Sequence, residues 1–329
     1  MLISKDDVFF VAGHKGMVGS SICRKLIHYG YKNIKTITRH EVDLRDPEKV
    51  NNWFKENKPN VVILAAAKVG GIQANKNQPT EYLLENLKIQ NNVIESSWKN
   101  NIKRFLFLGS SCIYPKHAKQ PIKEEELLSG PLEPTNDGYS LAKIVGIKLI
   151  ASLRNQYKFD AISLMPSNLY GPGDNYHPIN SHVLASFIRK FYIAKVNNEN
   201  KVICWGSGTP YREFLHVDDL AEASLFALEN WNPEDPDAPK FENGEILSYL
   251  NVGTGIDLTI KELAEKISDS FGYSGEIIWD RSKPDGTPRK QLNISRLESL
   301  GWAPKINLDE GIRKVTEIYS KECQKDGMK

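Results

Sequence analysis

The chain has 329 residues, 40% of them hydrophobic, which is typical of a folded globular protein and excludes a disordered or fibrous one. Lysine plus arginine number 43 and aspartate plus glutamate 41, so the net charge of +2 gives no reason to expect nucleic acid or an anionic membrane as a partner. No apolar run approaches the roughly 18 residues that a membrane-spanning helix needs, and acids stand near the N-terminus where a signal peptide would be apolar. The four cysteines are scattered without metal-ligand spacing, so we expect a cytoplasmic protein with free thiols and no metal site.

The first half of the chain alternates short apolar runs with amphipathic stretches. Strands buried on both faces of a parallel sheet are predicted for VFFVAG, IKTIT, VVILAAA, RFLFLGSS and AISLMPSN. Between them, TEYLLENLKIQNNVIESSW predicts a helix with an apolar stripe formed by Leu83, Leu84, Leu87, Val93 and Ile94. Alternating strands and helices predict an α/β fold with a doubly wound parallel sheet of Rossmann type.

The pattern changes near Tyr170, where GPGDNYHPINSH predicts a loop and the segment from Val183 to Lys195 a helix. Farther along, WNPEDPDAPKFENGE predicts an acidic surface loop. We expect a nucleotide-binding domain over residues 1–169, to which the chain returns at about 213–252. A smaller α/β substrate lobe would consist of residues 170–212 and 253–329.

A glycine-rich turn follows the first predicted strand. Gly13, Gly16 and Gly19 in AGHKGMVGS open a predicted helix with the spacing G-x-x-G-x-x-G. Glycine lets the backbone approach a pyrophosphate closely, and the free N–H groups of a helix start favour the anion. A tight turn also needs glycine, but the position directly after a strand favours a dinucleotide site over an ordinary turn.

The end of the second predicted strand indicates which dinucleotide binds. An acid there contacts the ribose hydroxyls of NAD, whereas an arginine contacts the 2′-phosphate of NADP. Arg39 comes first, ahead of Glu41 and Asp43, so the sequence favours NADP. Lys15 would add a second positive charge, and Asp43 and Leu44 would lie beside the adenine. A solvated basic side chain is the alternative for both Arg39 and Lys15.

Tyr139 and Lys143 stand four residues apart in DGYSLAKIVGIKLI, on one face of a predicted helix. Reduction of a ketone needs a proton for the developing alkoxide, and a phenol has a pKa of ~10. A lysine ammonium group and the positive charge of an oxidised nicotinamide would lower that pKa. Ser110, after the fourth predicted strand, would hold the carbonyl oxygen by a hydrogen bond. An exposed helix pair is the alternative for Tyr139 and Lys143.

Together these motifs resemble the extended short-chain dehydrogenase/reductase family. Within it, the GDP-L-fucose synthases are similar in AGHKGMVGS, LAAAKVGGI, GSSCIYP, LEPTNDGYSLAK, NLYGPGDNYHPINSHV, WGSGTPYREFLHVDDL, NVGTG and KPDGTPRK. The resemblance implies an NADPH-dependent enzyme that inverts C-3 and C-5 of GDP-4-keto-6-deoxy-D-mannose and reduces its C-4 ketone. It also implies a homodimer that forms through the helix containing Tyr139 and the stretch from Thr80 to Trp98.

The resemblance assigns the acid–base roles in epimerisation to Cys112 and His182. The hydrogens on C-3 and C-5 are acidic because both carbons adjoin the ketone, and one group must remove a proton while another returns it. Cys112 lies two residues after Ser110, and a continuing strand would place both on one face. A small buried packing residue is the alternative for Cys112. His182 titrates near neutrality, and His177 in the same loop is a rival acid.

The remaining contacts follow from the same resemblance. A GDP-sugar carries a diphosphate, which favours guanidinium and ammonium groups. The substrate contacts implied are Lys190, Trp205, Arg212 and Asp285. At Lys190 and Lys15 the family pattern has arginine, so both positions depart toward a contact that is not bidentate. The cofactor contacts implied are Gly13, His14, Lys15, Gly16, Met17, Val18, Gly19, Arg39, Asp43, Leu44, Leu108, Gly109, Ser110, Ser111, Lys143, Pro166, Ser167, Asn168, Leu169 and His182.

Three alternatives stay open at this stage. A relative that acts on another GDP-4-keto sugar, such as a GDP-colitose or heptose-type reductase, would have similar motifs. A 4,6-dehydratase or 4-epimerase would recycle tightly bound NAD⁺, and Arg39 and Cys112 argue against it. A non-catalytic NADP-binding module would not need the intact set of Ser110, Tyr139 and Lys143.

Overall fold

Six parallel strands form the central sheet of the protein in a computed structural model that describes residues 2–325. Numbered in chain order, they lie side by side as β2 (Ile34–Lys35), β1 (Phe9–Ala12), β3 (Val61–Leu64), β4 (Arg104–Leu108), β5 (Ala161–Pro166) and β9 (Tyr249–Val252). Every residue of these strands except the two of β2 is buried, as expected for a sheet covered on both faces. The predicted doubly wound α/β fold is confirmed.

The helices are α1 (Met17–His28), α2 (Pro47–Asn57), α3 (Ile72–Asn77), α4 (Pro79–Lys99), α5 (Asp137–Tyr157), α6 (Val183–Val196), α7 (Val217–Asn230), α8 (Ile260–Ser270), α9 (Ser295–Ser299) and α10 (Leu308–Lys325). The other strands are β6 (Asn168–Tyr170), β7 (Lys201–Trp205), β8 (Tyr211–His216), β10 (Asp257–Thr259), β11 (Glu276–Asp280) and β12 (Arg289–Lys290). Strand β8 pairs with β6, β10 and β12, while β7 pairs with β11. Because β6 and β10 follow β5 and β9 in the chain, the β8 sheet lies beyond the carboxyl edge of the central sheet.

Two apolar clusters stabilise the structure. The larger one surrounds the central sheet and includes side chains of α7 and β9, so the chain returns to this sheet after β8. The smaller one joins α6, α8 and α10 with β7. The domain boundaries given above remain a prediction, and residues 326–329 of the second predicted lobe lie outside the described residues.

The second predicted strand is wrong in length. Of IKTIT, only Ile34 and Lys35 form a strand, paired with Phe9 and Phe10 of β1. The carbonyl of Thr38 then accepts the N–H groups of the residues at 41 and 42, so the chain turns soon after the strand ends. As an edge strand, β2 has β1 as its single neighbour and pairs with the first two of the four residues of β1.

The predicted apolar stripe of α4 is also partly wrong. Val93 and Ile94 are buried as predicted, but Leu84 is 46% exposed. The buried face continues toward the start of the helix through Tyr82, Asn86 and Gln90 at four-residue spacing. The Asn86 amide donates to the carbonyl of Tyr82, and the Gln90 amide donates to the carbonyl of Ala142 in α5, both at 2.6 Å. Polar side chains can be buried when their hydrogen bonds are satisfied, and a count of apolar residues does not detect them.

Within residues 2–325, no helix is both long and apolar enough to span a bilayer. In the same range, no three His, Cys, Asp or Glu side chains converge as metal ligands would. Cys23, Cys112, Cys204 and Cys323 are all free thiols.

Candidate active site

A cavity of about 950 Å³ lies at the carboxyl edge of the central sheet. Residues of both apolar clusters line it. In open α/β sheets ligands bind at this edge, because the loops that follow the parallel strands meet there. All of the predicted cofactor and substrate contacts line this cavity except His14 and Lys15.

The glycine turn, residues 13–19, brings backbone to the cavity wall. Gly13 has φ +89°, and a Cβ there would lie 2.8 Å from the Cα of Ala66. A Cβ on Gly19 would lie 2.2 Å from the carbonyl oxygen of Gly13. Helix α1 starts after Gly16, and no side chain of residues 2–325 caps its first turn. Its N–H groups therefore fit the pyrophosphate of a dinucleotide.

Unlike the glycines of the turn, His14 and Lys15 do not line the cavity. Lys15 is exposed. Because the turn presents its backbone to the cavity, the side chains at these two positions lie outside it. The second positive charge expected at Lys15 is therefore absent from the cavity wall.

Arg39 lines the cavity with a side chain that is 67% exposed. Its Nε lies 3.7 Å from Oδ2 of Asp43, which also accepts a hydrogen bond from Nη2 of Arg45 at 2.6 Å. The hydrogen bonds from Arg45 hold the pKa of Asp43 well below its usual range. Sequence analysis missed Arg45, whose pairing with Asp43 leaves the Arg39 guanidinium largely free for an anion.

Ser110, Tyr139 and Lys143 all line the same part of the cavity. Nζ of Lys143 donates to the carbonyl of Leu108 at 2.7 Å and lies 5.8 Å from the centre of the Tyr139 ring. Burial lowers the pKa of Lys143 to about 7. Burial raises the pKa of Tyr139, as does the charge of Cys112, whereas a hydrogen bond with Ser110 opposes them. The protein's own groups therefore do not lower the pKa of the Tyr139 phenol, contrary to our expectation.

Cys112 does not lie on a strand, so the expected strand alternation with Ser110 is wrong. Strand β4 ends at Leu108, and Ser111–Ile113 form a short 3₁₀ turn. Oγ of Ser110 accepts the N–H of Cys112 at 3.2 Å and so caps this turn. The turn, rather than strand alternation, places the thiol on the cavity wall with Ser110.

Lys290 approaches the thiol, although sequence analysis did not single it out. Its Nζ lies 3.6 Å from Sγ of Cys112. Strand β12 pairs in parallel with β8 and sets Lys290 opposite Arg212. Burial raises the pKa of Cys112, but the charges of Lys290 and Arg212 and the hydrogen bonds from Ser110 and Lys290 outweigh it, so the pKa is lowered. Lys290 lies in KPDGTPRK, but only the pairing of distant strands brings it to the thiol.

His182 directly precedes α6 and lines the cavity. Burial and the charge of Lys290 lower the pKa of its imidazole. The rival His177 does not line the cavity, and its Nδ1 accepts the N–H groups of Ile179 and Asn180 at 3.1 and 3.2 Å. Of the two candidate acids, His182 is therefore the one that lines the cavity.

The predicted substrate contacts Lys190, Trp205, Arg212 and Asp285 line the same cavity. Nζ of Lys190 lies 5.2 Å from the centre of the Trp205 ring, which is 43% exposed. The carboxylate of Asp285 accepts the N–H and O–H of Ser207 at 2.7 and 2.8 Å, and its carbonyl accepts Nη2 of Arg212 at 3.3 Å. Asp285 thus holds two loops together. The cations of Lys190 and Arg212 and the exposed indole of Trp205 are available to contact a nucleotide.

The model of the NAD dependent epimerase/dehydratase family matches residues 9–238. The chain belongs to that family. GDP-L-fucose synthase of Escherichia coli (strain K12) is 50% identical over 322 residues, which cover 96% of this chain and 97% of that protein. This similarity confirms the resemblance found in the sequence.

Two solved structures share the whole architecture. A GDP-6-OMe-4-keto-L-xylo-heptose reductase from C. jejuni has a TM-score of 0.91 at 35% identity, with 97% of this chain and 99% of that chain covered. A GDP-L-fucose synthetase from Naegleria fowleri bound to NADP has a TM-score of 0.84 at 25% identity, with 100% and 98% covered. Both neighbours confirm the fold.

Proposed function

We propose that this chain is an NADP(H)-dependent enzyme that converts GDP-4-keto-6-deoxy-D-mannose to GDP-L-fucose. The observation that carries this proposal is the presence of two chemical sets in one cavity. Ser110, Tyr139 and Lys143 serve reduction, and a thiol of lowered pKa at Cys112 shares the wall with His182. A plain reductase would need the first set alone. The 50% identity to the Escherichia coli GDP-L-fucose synthase supports the same assignment.

The cofactor is NADP(H), which supplies the hydride that reduces the C-4 ketone. The glycine turn and the uncapped start of α1 fit its pyrophosphate. Arg39 provides the positive charge for the 2′-phosphate that distinguishes NADP from NAD. Arg45 pairs with Asp43, so the nearby acid does not repel that phosphate.

Epimerisation begins with the Cys112 thiolate. It removes the proton from C-3 or C-5, and the C–H electron pair moves to the oxygen at C-4 to form an enolate. Ser110 and Tyr139, which line the same cavity, would hydrogen-bond that oxygen. Protonated His182 then returns a proton to the opposite face of the carbon and inverts it. Lys290 favours the thiolate form of Cys112 by lowering the pKa of the thiol.

Reduction uses the hydroxyl of Tyr139 as the proton donor to the oxygen at C-4. Its raised pKa keeps this hydroxyl protonated until charge develops on the substrate oxygen. Lys143, fixed by the carbonyl of Leu108, lies next to the ring and provides positive charge when protonated. The two half-reactions therefore share Ser110 and Tyr139 but depend on different proton-transfer groups.

Incubation with GDP-4-keto-6-deoxy-D-mannose and NADPH, followed by NMR of the product, tests this function. We expect GDP-L-fucose. A GDP-6-deoxyhexose of D-configuration would contradict the epimerase half of the proposal. Turnover of a GDP-4-keto-heptose without turnover of the 6-deoxyhexose would favour the heptose-reductase alternative.

We also infer that the protein is a homodimer that forms through α4 and α5. These helices expose apolar side chains at Leu84, Leu141 and Val145, which are 46%, 43% and 43% exposed. Leu141 and Val145 lie one turn apart on α5, so a second copy could cover both in an isologous four-helix contact. Sedimentation should give twice the chain mass, and a monomer mass at micromolar concentration would contradict the inference.

The four free thiols favour a reducing, cytoplasmic location.

A further inference from the structure

Two inversions by a single thiol require that the thiol be reset between them, a point that rests on the proposed function. In each inversion Cys112 gains a proton and His182 loses one. The second inversion can begin only after Cys112 has lost its proton again. Cofactor and substrate in the main cavity, which Cys112 lines, would cover the side of the thiol that faces them. The proton therefore needs another way out.

A second, smaller cavity adjoins the thiol. Its volume is about 20 Å³, which is enough for one water molecule. The residues that line it are Ser111, Cys112, Tyr114, Pro115, Ile122, Glu133, Asn136, Thr287 and Lys290. A water molecule there would find two to four polar partners, as buried water requires.

Glu133 connects this small cavity to the protein surface. The residue is 9% exposed, and its Oε2 lies 2.9 Å from Nζ of Lys116. The side chain of Lys116 is 31% exposed, so it reaches solvent. Burial raises the pKa of Glu133, but the hydrogen bonds from Lys116 and Thr135 and the charge of Lys116 together outweigh it, so the pKa is lowered and the group is an ionised acceptor at neutral pH. Lys116 thus links the buried carboxylate of Glu133 to solvent.

We propose that Glu133, acting through a water molecule in the small cavity, carries the proton of Cys112 to solvent between the two inversions. The S–H bond of Cys112 breaks as a proton passes to the water, and the water passes one of its own protons to the Glu133 carboxylate. Solvent beside Lys116 then takes that proton. The thiolate is restored, and His182 regains one proton from solvent, so charge and atoms balance without any redox partner.

A purely structural role for Glu133 must be distinguished from this relay. Its carbonyl accepts the N–H of Asn136 at 3.2 Å just before α5, so the residue also supports the start of the helix that carries Tyr139. A loss of support would slow every turnover equally. A lost relay would slow only the turnovers after the first, and a small diffusible base would restore the rate.

The test measures deuterium uptake at C-3 and C-5 in D₂O, with NADP⁺ in place of NADPH so that reduction does not occur. The variants are Glu133→Gln and Lys116→Met, and Lys119→Met is a matched control on an exposed side chain of the same loop. For Glu133→Gln we expect a first inversion at the wild-type rate and steady-state exchange slowed by ~10-fold or more. Raising the concentration of imidazole or formate should restore the rate, and Lys116→Met should show the same dependence in weaker form.

The control should exchange like the wild type, whose rate should not depend on buffer concentration. Wild-type exchange by Glu133→Gln would overturn the relay. Equal slowing of the first and later turnovers, or slowing that buffer does not relieve, would also overturn it and assign a structural role. Lys116→Met with no buffer dependence would remove Lys116 from the route. If the wild-type enzyme took up no deuterium at all, the proposed function itself would be wrong.

Discussion

The glycine turn and the thiol region of the cavity are built in different ways. The glycine turn is one uninterrupted segment, residues 13–19, and presents backbone to the cavity. The thiol region consists of Ser110, Cys112, His182 and Lys290, which come from three distant parts of the chain. In the glycine turn, the closely packed glycines let the backbone approach a pyrophosphate. In the thiol region, charges assembled across the fold change the pKa of a thiol. Variants of each region should therefore fail in different ways.

The largest effect should come from Tyr139→Phe, which removes the proton donor of reduction. NADPH oxidation should fall by ~10²–10⁴-fold, while deuterium uptake at C-3 or C-5 continues because Cys112 and His182 remain. Stopped-flow absorbance measures the first and NMR the second. Tyr157→Phe, a half-exposed tyrosine on the same helix, is the control. Loss of both activities in a folded, substrate-binding Tyr139→Phe protein would show that the two half-reactions are not separable.

Gly19→Ala should weaken NADPH binding by ~10- to 100-fold, because the new Cβ would force apart a contact of 2.2 Å with the Gly13 carbonyl. Fluorescence titration measures the dissociation constant. Ser20→Ala, at the next position of α1, is the matched control. Gly30→Ala would not serve as a control, because Gly30 has a positive φ that alanine adopts only with strain. Unchanged NADPH affinity in Gly19→Ala would contradict the close-packed turn.

Lys290→Met should shift the pH dependence of deuterium exchange. Lys290 lowers the pKa of both Cys112 and His182, so its removal raises both. The active form needs a thiolate and an imidazolium, so the rising and falling limbs of the rate profile should both move to higher pH. At a fixed pH the loss of thiolate and the gain of imidazolium oppose each other, so the position of the profile, rather than the rate near pH 7, is the measurement. An unshifted profile would remove Lys290 from the thiol region.

Arg39→Glu should give the smallest effect, a roughly tenfold loss of preference for NADPH over NADH, because the side chain is largely exposed. Dissociation constants for both cofactors measure it. Lys15→Glu makes the same charge change outside the cavity and should alter the preference little. Equal weakening of NADPH and NADH by Arg39→Glu would exclude a 2′-phosphate contact.

Local patterns made much of the molecule predictable. The central strands are apolar runs. The glycines of the turn and the pair of Tyr139 and Lys143 are each separated by only a few residues, so a local pattern reveals them. Spacing did not reveal which way the side chains of the turn point, and His14 and Lys15 lie outside the cavity. It could not show the buried row of Asn86 and Gln90, whose burial depends on partners elsewhere. The pairing of Lys290 with Cys112 spans 178 positions, a contact that no local pattern encodes.

The most direct test of the account is the product formed by Cys112→Ser, identified by NMR. Serine is nearly isosteric, so the fold and NADPH binding should be retained, but its hydroxyl is too weak an acid to serve as the base. Carbanion formation should slow by ~10²–10⁴-fold. The variant should therefore turn over slowly or reduce the unepimerised ketone to a GDP-6-deoxyhexose of D-configuration. Formation of the L-sugar at a near-wild-type rate would contradict the account and leave Cys112 as a small residue packed in a 3₁₀ turn.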